Sequence, residues 1–151
     1  MTPEIFLLLN LALAFYNVGT IWAHEIDIFR SWKLLSDPQI FHTVQSVHWK
    51  KLPYWVFIPV ALSFIGSIAL FWYHPNKIQD WEIWITFTFQ LLSHFLTAIT
   101  WGQWQAKLSK DKSGNASPWL TKILKTHWVR TLLINAYALA LFCITIQTLN
   151  N

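Results

Sequence analysis

His94, His127 and Arg130 are the residues of this chain best equipped for chemistry. Imidazole exchanges protons near neutral pH, and a guanidinium binds anions or carbonyl oxygens through several donors. Together they fit general base catalysis. His94 or His127 would remove a proton, and Arg130 would hold the oxygen on which negative charge collects. Asn17 and Asn135 add donors for the same charge, and Trp101, Trp104 and Trp128 offer flat faces on which a planar ligand could stack. His24, His48, His94 and His127 are also the candidate ligands of a metal or haem. Their spacing follows no metal motif: HExxH and ExxH are absent, and adjacent His24 and Glu25 leave a helix in different directions. No cofactor is required by these residues, and haem or a histidine-bound metal stands as the alternative.

The elements that must position these groups are set by charge. Of 151 residues, 54% are hydrophobic and 12% charged, about half the ~25% of a soluble domain. No Asp, Glu, Lys or Arg occurs in 5–24, 53–73, 83–106 or 131–149. Each gap approaches the ~20 residues a helix needs to cross ~30 Å of hydrocarbon. The expectation is an all-α, single-domain, multi-pass membrane protein, a bundle of four transmembrane helices at about 4–24, 53–73, 81–106 and 128–149. Asp37-Pro38 reads as a helix start, and Phe41, Val44, His48 and Leu52 recur at helical spacing. That predicts a short amphipathic helix in the headgroup plane before the second span.

Polar residues within the spans fall into seams. Asn10, Asn17 and His24 are seven apart on span one; Thr86, Gln90, Ser93, His94 and Thr97 share a face of span three; His127, Thr131 and Asn135 repeat every four on span four. Buried in a bundle, such seams are expected to bond across helices. Span two brings the small residues Ser63, Gly66 and Ser67 for close packing. His94 lies 13 residues past Trp81, about 20 Å along a helix, where an ionisable group is by default a functional one. Its two readings are a ligand or proton-transfer group in a cavity, and a packed imidazole bonded through Asn17 or Asn135. Arg130 has two as well: a clamp to Glu25 or Asp27, and an anion or carbonyl binder at the mouth of a pocket.

Arg30, Lys33, Lys50 and Lys51 lie between spans one and two, and five lysines between spans three and four. The positive-inside rule places both loops in the cytoplasm and both termini outside. Most of the eleven tryptophans lie at the basic side. The net charge of +4 thus tracks topology, not nucleic acid. One cysteine excludes an internal disulfide and a thiolate metal site, and four scattered glycines exclude a phosphate-binding loop. The first apolar run lacks a basic leader and reads as a retained helix. Asn115-Ala116-Ser117 reads as a loop and helix cap. The expected partners are the lipid bilayer and a lipophilic small molecule; a homo-oligomer or a partner membrane subunit is open.

WGQWQAKLSK (101–110) leaving span three and THWVRTLL (126–133) opening span four give the chain a family likeness. In layout and in these motifs it resembles the small four-helix membrane proteins grouped with anthrone oxygenases, a largely uncharacterised family. The resemblance makes Trp128 and Arg130 the signature pair before the fourth helix, with Gln103 or Gln105 near the third-helix polar motif. It departs from the family in its thin glycine and proline pattern and in His24, His94 and its many tryptophans. What it implies is oxidation of a flat, lipophilic phenolic molecule by oxygen without an obligatory cofactor. The alternatives are a non-catalytic membrane subunit or ligand-binding protein and, last, a transporter, for which no inverted repeat or ring of charge is visible.

Overall fold

The computed structural model describes residues 1–150. Among these, four long helices carry nearly the whole chain and no strand is present: α1 (Pro3–Leu34), α2 (Pro38–Ala69), α3 (Asp80–Leu108) and α4 (Pro118–Asn150). All four are long and apolar enough to cross a membrane, and the protein is a multi-pass integral membrane bundle.

Local sequence sets each start. Thr2, Asp37 and Ser117 each precede a proline, which has no amide hydrogen to lose in the first turn. Thr2 Oγ1 accepts from the Ile5 amide, Asp37 Oδ1 from those of Gln39 and Ile40, and Ser117 Oγ from that of Trp119. Helix α3 begins instead with a capping box, the Gln79 amide donating to Glu82 Oε2 at 2.8 Å.

The helices outrun the expected spans. At 33 residues α4 is about 50 Å long, well beyond ~30 Å of hydrocarbon. Most of the excess lies at the basic-loop end. There α1 continues past His24 to Leu34, and the predicted helix 38–52 is present but runs unbroken into the second span. Its inner face differs from the predicted one at a single position, where Gln45 is buried and Val44 is 39% exposed. Phe29, Trp32, Phe41, Leu108, Leu120 and Ile123 pack this end into an apolar core. Asn115 belongs to the loop that holds it: its amide donates to the Lys33 carbonyl, and Lys33 Nζ donates back to the Asn115 carbonyl. Beside it, bonds from the Ser113 and Ser117 hydroxyls hold the Asp111 carboxyl below the usual carboxylate range.

A second core, built from Leu7, Ala14, Ile83, Tyr137, Leu141 and Ile144 among others, fills the end that carries the termini. Helix α4 packs along α1 and α3, and α2 packs mainly on α1. The α1–α2 contact is close at Gly66, where a Cβ would overlap the Asn10 side chain.

Asn10 is buried and tied to the Phe6 carbonyl, so it cannot swing away cheaply. Gly66→Ala is therefore expected to lower stability by about 1–3 kcal/mol. Gly19, whose added Cβ meets open space, should tolerate alanine or gain up to about 1 kcal/mol. Thermal unfolding of both variants in detergent checks the contrast, and a Gly66→Ala protein as stable as Gly19→Ala would contradict the packing.

Candidate functional site

Between the two apolar cores the polar seams converge. Asn10, Asn17 and His24 of α1 are buried, as are Gln90 and Ser93 of α3 and His127 and Thr131 of α4. Cross-helix bonding is sparse, contrary to expectation. Gln90 Nε2 donates to Ser63 Oγ at 3.0 Å, and Trp22 Nε1 to Asn135 Oδ1 at 3.3 Å. Most seam residues bond instead to their own helix one turn back: His24 to the Thr20 carbonyl, His94 to Gln90, Thr97 to Ser93 and Asn135 to Thr131. Of these, His94 keeps its second ring nitrogen buried and without a partner among the described residues.

Between the helices lies a two-chambered cavity. The deeper chamber, about 370 Å³, is walled by Phe64, Gln90, Ser93, His94 and Tyr137 together with aliphatic groups of α2. The other, about 210 Å³ and nearer the basic end, is walled by His24, Trp49, Gly102 and Gln105. Asn17, Thr97 and Arg130 belong to both. The combined space suits a small-molecule site: mostly apolar, with a few convergent polar groups.

Three π-helical turns surround the smaller chamber at the basic end, the inner chamber: His24–Ile28 in α1, Pro53–Phe57 in α2 and Thr97–Trp101 in α3. Such wide turns recur where a helix must redirect side chains around a site. The third depends on Gly102, at which a Cβ would come within 2.9 Å of the Thr97 carbonyl oxygen.

Arg130 sits where the chambers meet. No hydrogen bond or ion pair engages its side chain among the described residues, and its Nε is buried without a partner. The guanidinium lies within electrostatic reach of His24, His94 and His127. The Glu25 clamp expected for it goes elsewhere: Glu25 Oε2 pairs with His127 Nδ1 at 2.9 Å and Oε1 with exposed Arg30 at 3.5 Å. Span one is thus fastened to span four through histidine, and Arg130 is left to the cavity.

His94 lines the deeper chamber with its ring 4.7 Å from that of Phe64. Its Nδ1 lies 2.7 Å from the Gln90 carbonyl, which only accepts, so Nδ1 carries the proton. In the neutral ring Nε2 is then the acceptor, and it is buried with no partner among the described residues. Gln90 Oε1 and Asn17 Oδ1 are likewise buried and unpartnered.

The remaining sequence candidates are dispersed. His127 packs edge-on against Phe29 at 4.8 Å and belongs to the basic-end core. Asn135, tied to Trp22 and Thr131, lies outside the walls of both chambers. So do the tryptophans. Trp101 is buried and donates to Thr126, Trp104 flanks the basic-end core, and Trp128 is 52% exposed. Trp49 supplies the indole of the inner chamber. His24 stacks on Trp55 with rings 5.2 Å apart and meets His48 at 5.3 Å, while His94 and His127 are turned to other partners. Among the described residues no three His, Cys, Asp or Glu side chains group so as to hold a metal ion. Tyr137, unassigned from the sequence, had a legible signal: it lies seven residues, two helical turns, beyond Arg130.

No family model, no curated protein and no solved structure matches the chain. The likeness to the anthrone oxygenase group rests on the sequence motifs alone.

Removing the Glu25 carboxylate strands a buried imidazole N–H, so Glu25→Ala should cost about 1–3 kcal/mol. Arg30→Ala, which breaks an exposed pair, should cost under about 1 kcal/mol. Equal losses in detergent unfolding would show that the His127 pair does not join the helices.

Proposed function

We propose that this protein binds a lipophilic aromatic small molecule within the bilayer and holds an anionic or carbonyl oxygen of that molecule on Arg130. The observation that carries the reading is the Arg130 guanidinium, unpaired among the described residues, at the junction of a largely apolar cavity inside a membrane bundle. A buried guanidinium is costly unless it is solvated or matched. A phenolate or carbonyl oxygen provides the match through charge-assisted bonds. Phe64 and the His94 ring flank the space in which an aromatic body would lie. By the positive-inside rule the basic loops are cytoplasmic and both termini external, which puts the cavity nearer the inner leaflet.

A second reading, that the bound molecule is also oxidised, is favoured by the His94 tautomer. An unpartnered Nε2 acceptor on the chamber wall is the atom a general base needs. With a hydroxylated anthrone, His94 would take a proton from the ring CH2 and Arg130 would hold the enolate oxygen. Addition of O2 to the carbanion and loss of water would then convert CH2 to C=O, with no cofactor required. The family resemblance points to the same substrate class and chemistry.

Binding is tested by titrating a hydroxylated anthraquinone into the purified protein and following tryptophan quenching. Arg130→Met should weaken binding about 10–100-fold, the loss of one charge-assisted hydrogen bond of about 1.5–3 kcal/mol. Unchanged affinity would remove Arg130 from the site. For turnover, oxygen uptake with a hydroxylated anthrone should fall at least 100-fold in His94→Ala. Wild-type rates from both His94→Ala and Arg130→Ala would end the oxidative reading.

A further inference from the structure

The cavity's walls are unequal, and the inequality marks a route. Asn17, Gln90 and Ser93, on the sides that α1 and α3 turn toward the bundle, are buried. On the opposite side the wall residues Phe57 and Ala61 of α2 and Ala98 of α3 are all exposed. The cavity therefore reaches the outer surface between α2 and α3.

The two ends of the bundle offer no comparable path. Leu7, Ile83 and Leu141 close the terminal end, and Phe29, Trp32 and Leu120 close the basic end, each at most 4% exposed. Around the lateral gap the exposed side chains are Ile58, Leu62, Ile65, Phe95 and Ile99, a surface suited to acyl chains and not to water. Toward the terminal end the stack of Phe64 on His94 and Phe87 brings α2 and α3 together again. Past that stack the two helices present alanines, whose single methyl groups leave the space open. Ala98 lies within the π-helical turn of α3.

We infer that the ligand is taken up sideways from the bilayer, through an opening between α2 and α3 framed by Phe57, Ala61 and Ala98. The occupant is a membrane-dissolved small molecule with an apolar body and at least one polar oxygen. During entry its body trails in lipid while the oxygen reaches the Asn17, Gln90 and Arg130 groups behind the opening. This rests on the ligand-binding reading above and adds the path, along with two alanines as the residues that limit ligand width.

The test separates the path from the site. Wild-type protein in lipid vesicles preloaded with a hydroxylated anthraquinone is followed by stopped-flow tryptophan quenching, beside Ala61→Phe and Ala98→Phe. Blocking the opening should slow association and dissociation together, each by tenfold or more. A second variant adds the bulk after folding: Ala61→Cys in a Cys143→Ser background, modified with a benzyl thiosulfonate and then released with dithiothreitol. Modification should slow both rates and reduction should restore them. Wild-type rates in the modified protein would overturn the lateral route while leaving the binding site intact. Failure of the unmodified wild type to bind would instead overturn the ligand reading, and the route with it.

Discussion

A guanidinium inside an apolar span must be solvated by the protein, by water or by a ligand, because lipid tails offer nothing to its donors. In this bundle the protein declines the role. Glu25, the carboxylate at the right level, is taken up by His127 and Arg30. The seam side chains that could have turned toward Arg130 spend their first hydrogen bond on their own helix backbone. Arg130 thereby keeps its donors and stands beside acceptors that also lack partners, Asn17 Oδ1, Gln90 Oε1 and His94 Nε2. Buried polar atoms are almost always satisfied, and the unpartnered ones of Asn17, Gln90, His94, Arg130 and Tyr137 line this one cavity, the arrangement on which the ligand-binding proposal rests.

The cavity follows from how the apolar material is distributed. Two separate cores, one at each end, hold the helices at the correct spacing while leaving the middle unfilled. Three π-helical turns lie between the deeper chamber and the basic-end core. Each widens its helix by about one residue per turn, which shifts the side-chain register between the membrane part and the cap. Gly102 permits the one in α3, since any side chain there meets the Thr97 carbonyl. The long cap below is thus more than excess helix. By fastening the basic ends to one another through Phe41, Leu108 and Leu120, it holds the helices together beyond the chambers.

Much of this was legible in the residues and some was not. Charge gaps locate spans well because the cost of a charge in hydrocarbon exceeds most packing preferences. Helix starts at Thr2-Pro3, Asp37-Pro38 and Ser117-Pro118 were legible because caps act locally. Helix ends were not: His24 ends the first apolar run and Leu52 the predicted amphipathic helix, yet each helix continues, since tertiary packing of Phe29 and Phe41 extends the helices at this end. Arg130, Asn17 and His94, which line the cavity, were conspicuous as polar groups in apolar spans. Trp101, Trp104 and Trp128, equally conspicuous, do not line the chambers. They share a level with the site, but level says nothing of direction, and helix rotation turns them to the core or the surface. Ala61 and Ala98 carried no signal, because an alanine in a membrane helix is ordinary until the structure shows what it leaves open.

The unpartnered groups also constrain what could satisfy them. Arg130 supplies donors, whereas Gln90 Oε1 and His94 Nε2 ask for them. A fatty acid carboxylate offers acceptors alone and would leave the glutamine and histidine atoms stranded. A hydrocarbon would satisfy none of the three. A molecule with a hydroxyl near a carbonyl or phenolate oxygen serves both kinds at once, donating toward Gln90 or His94 and accepting from Arg130. Because leaving a buried polar atom unpaired costs about 1–3 kcal/mol, in the proposed site this pairing would discriminate among lipophilic molecules more sharply than the apolar walls. In the proposed site the walls would admit by size, and the seam would select by the balance of donors and acceptors.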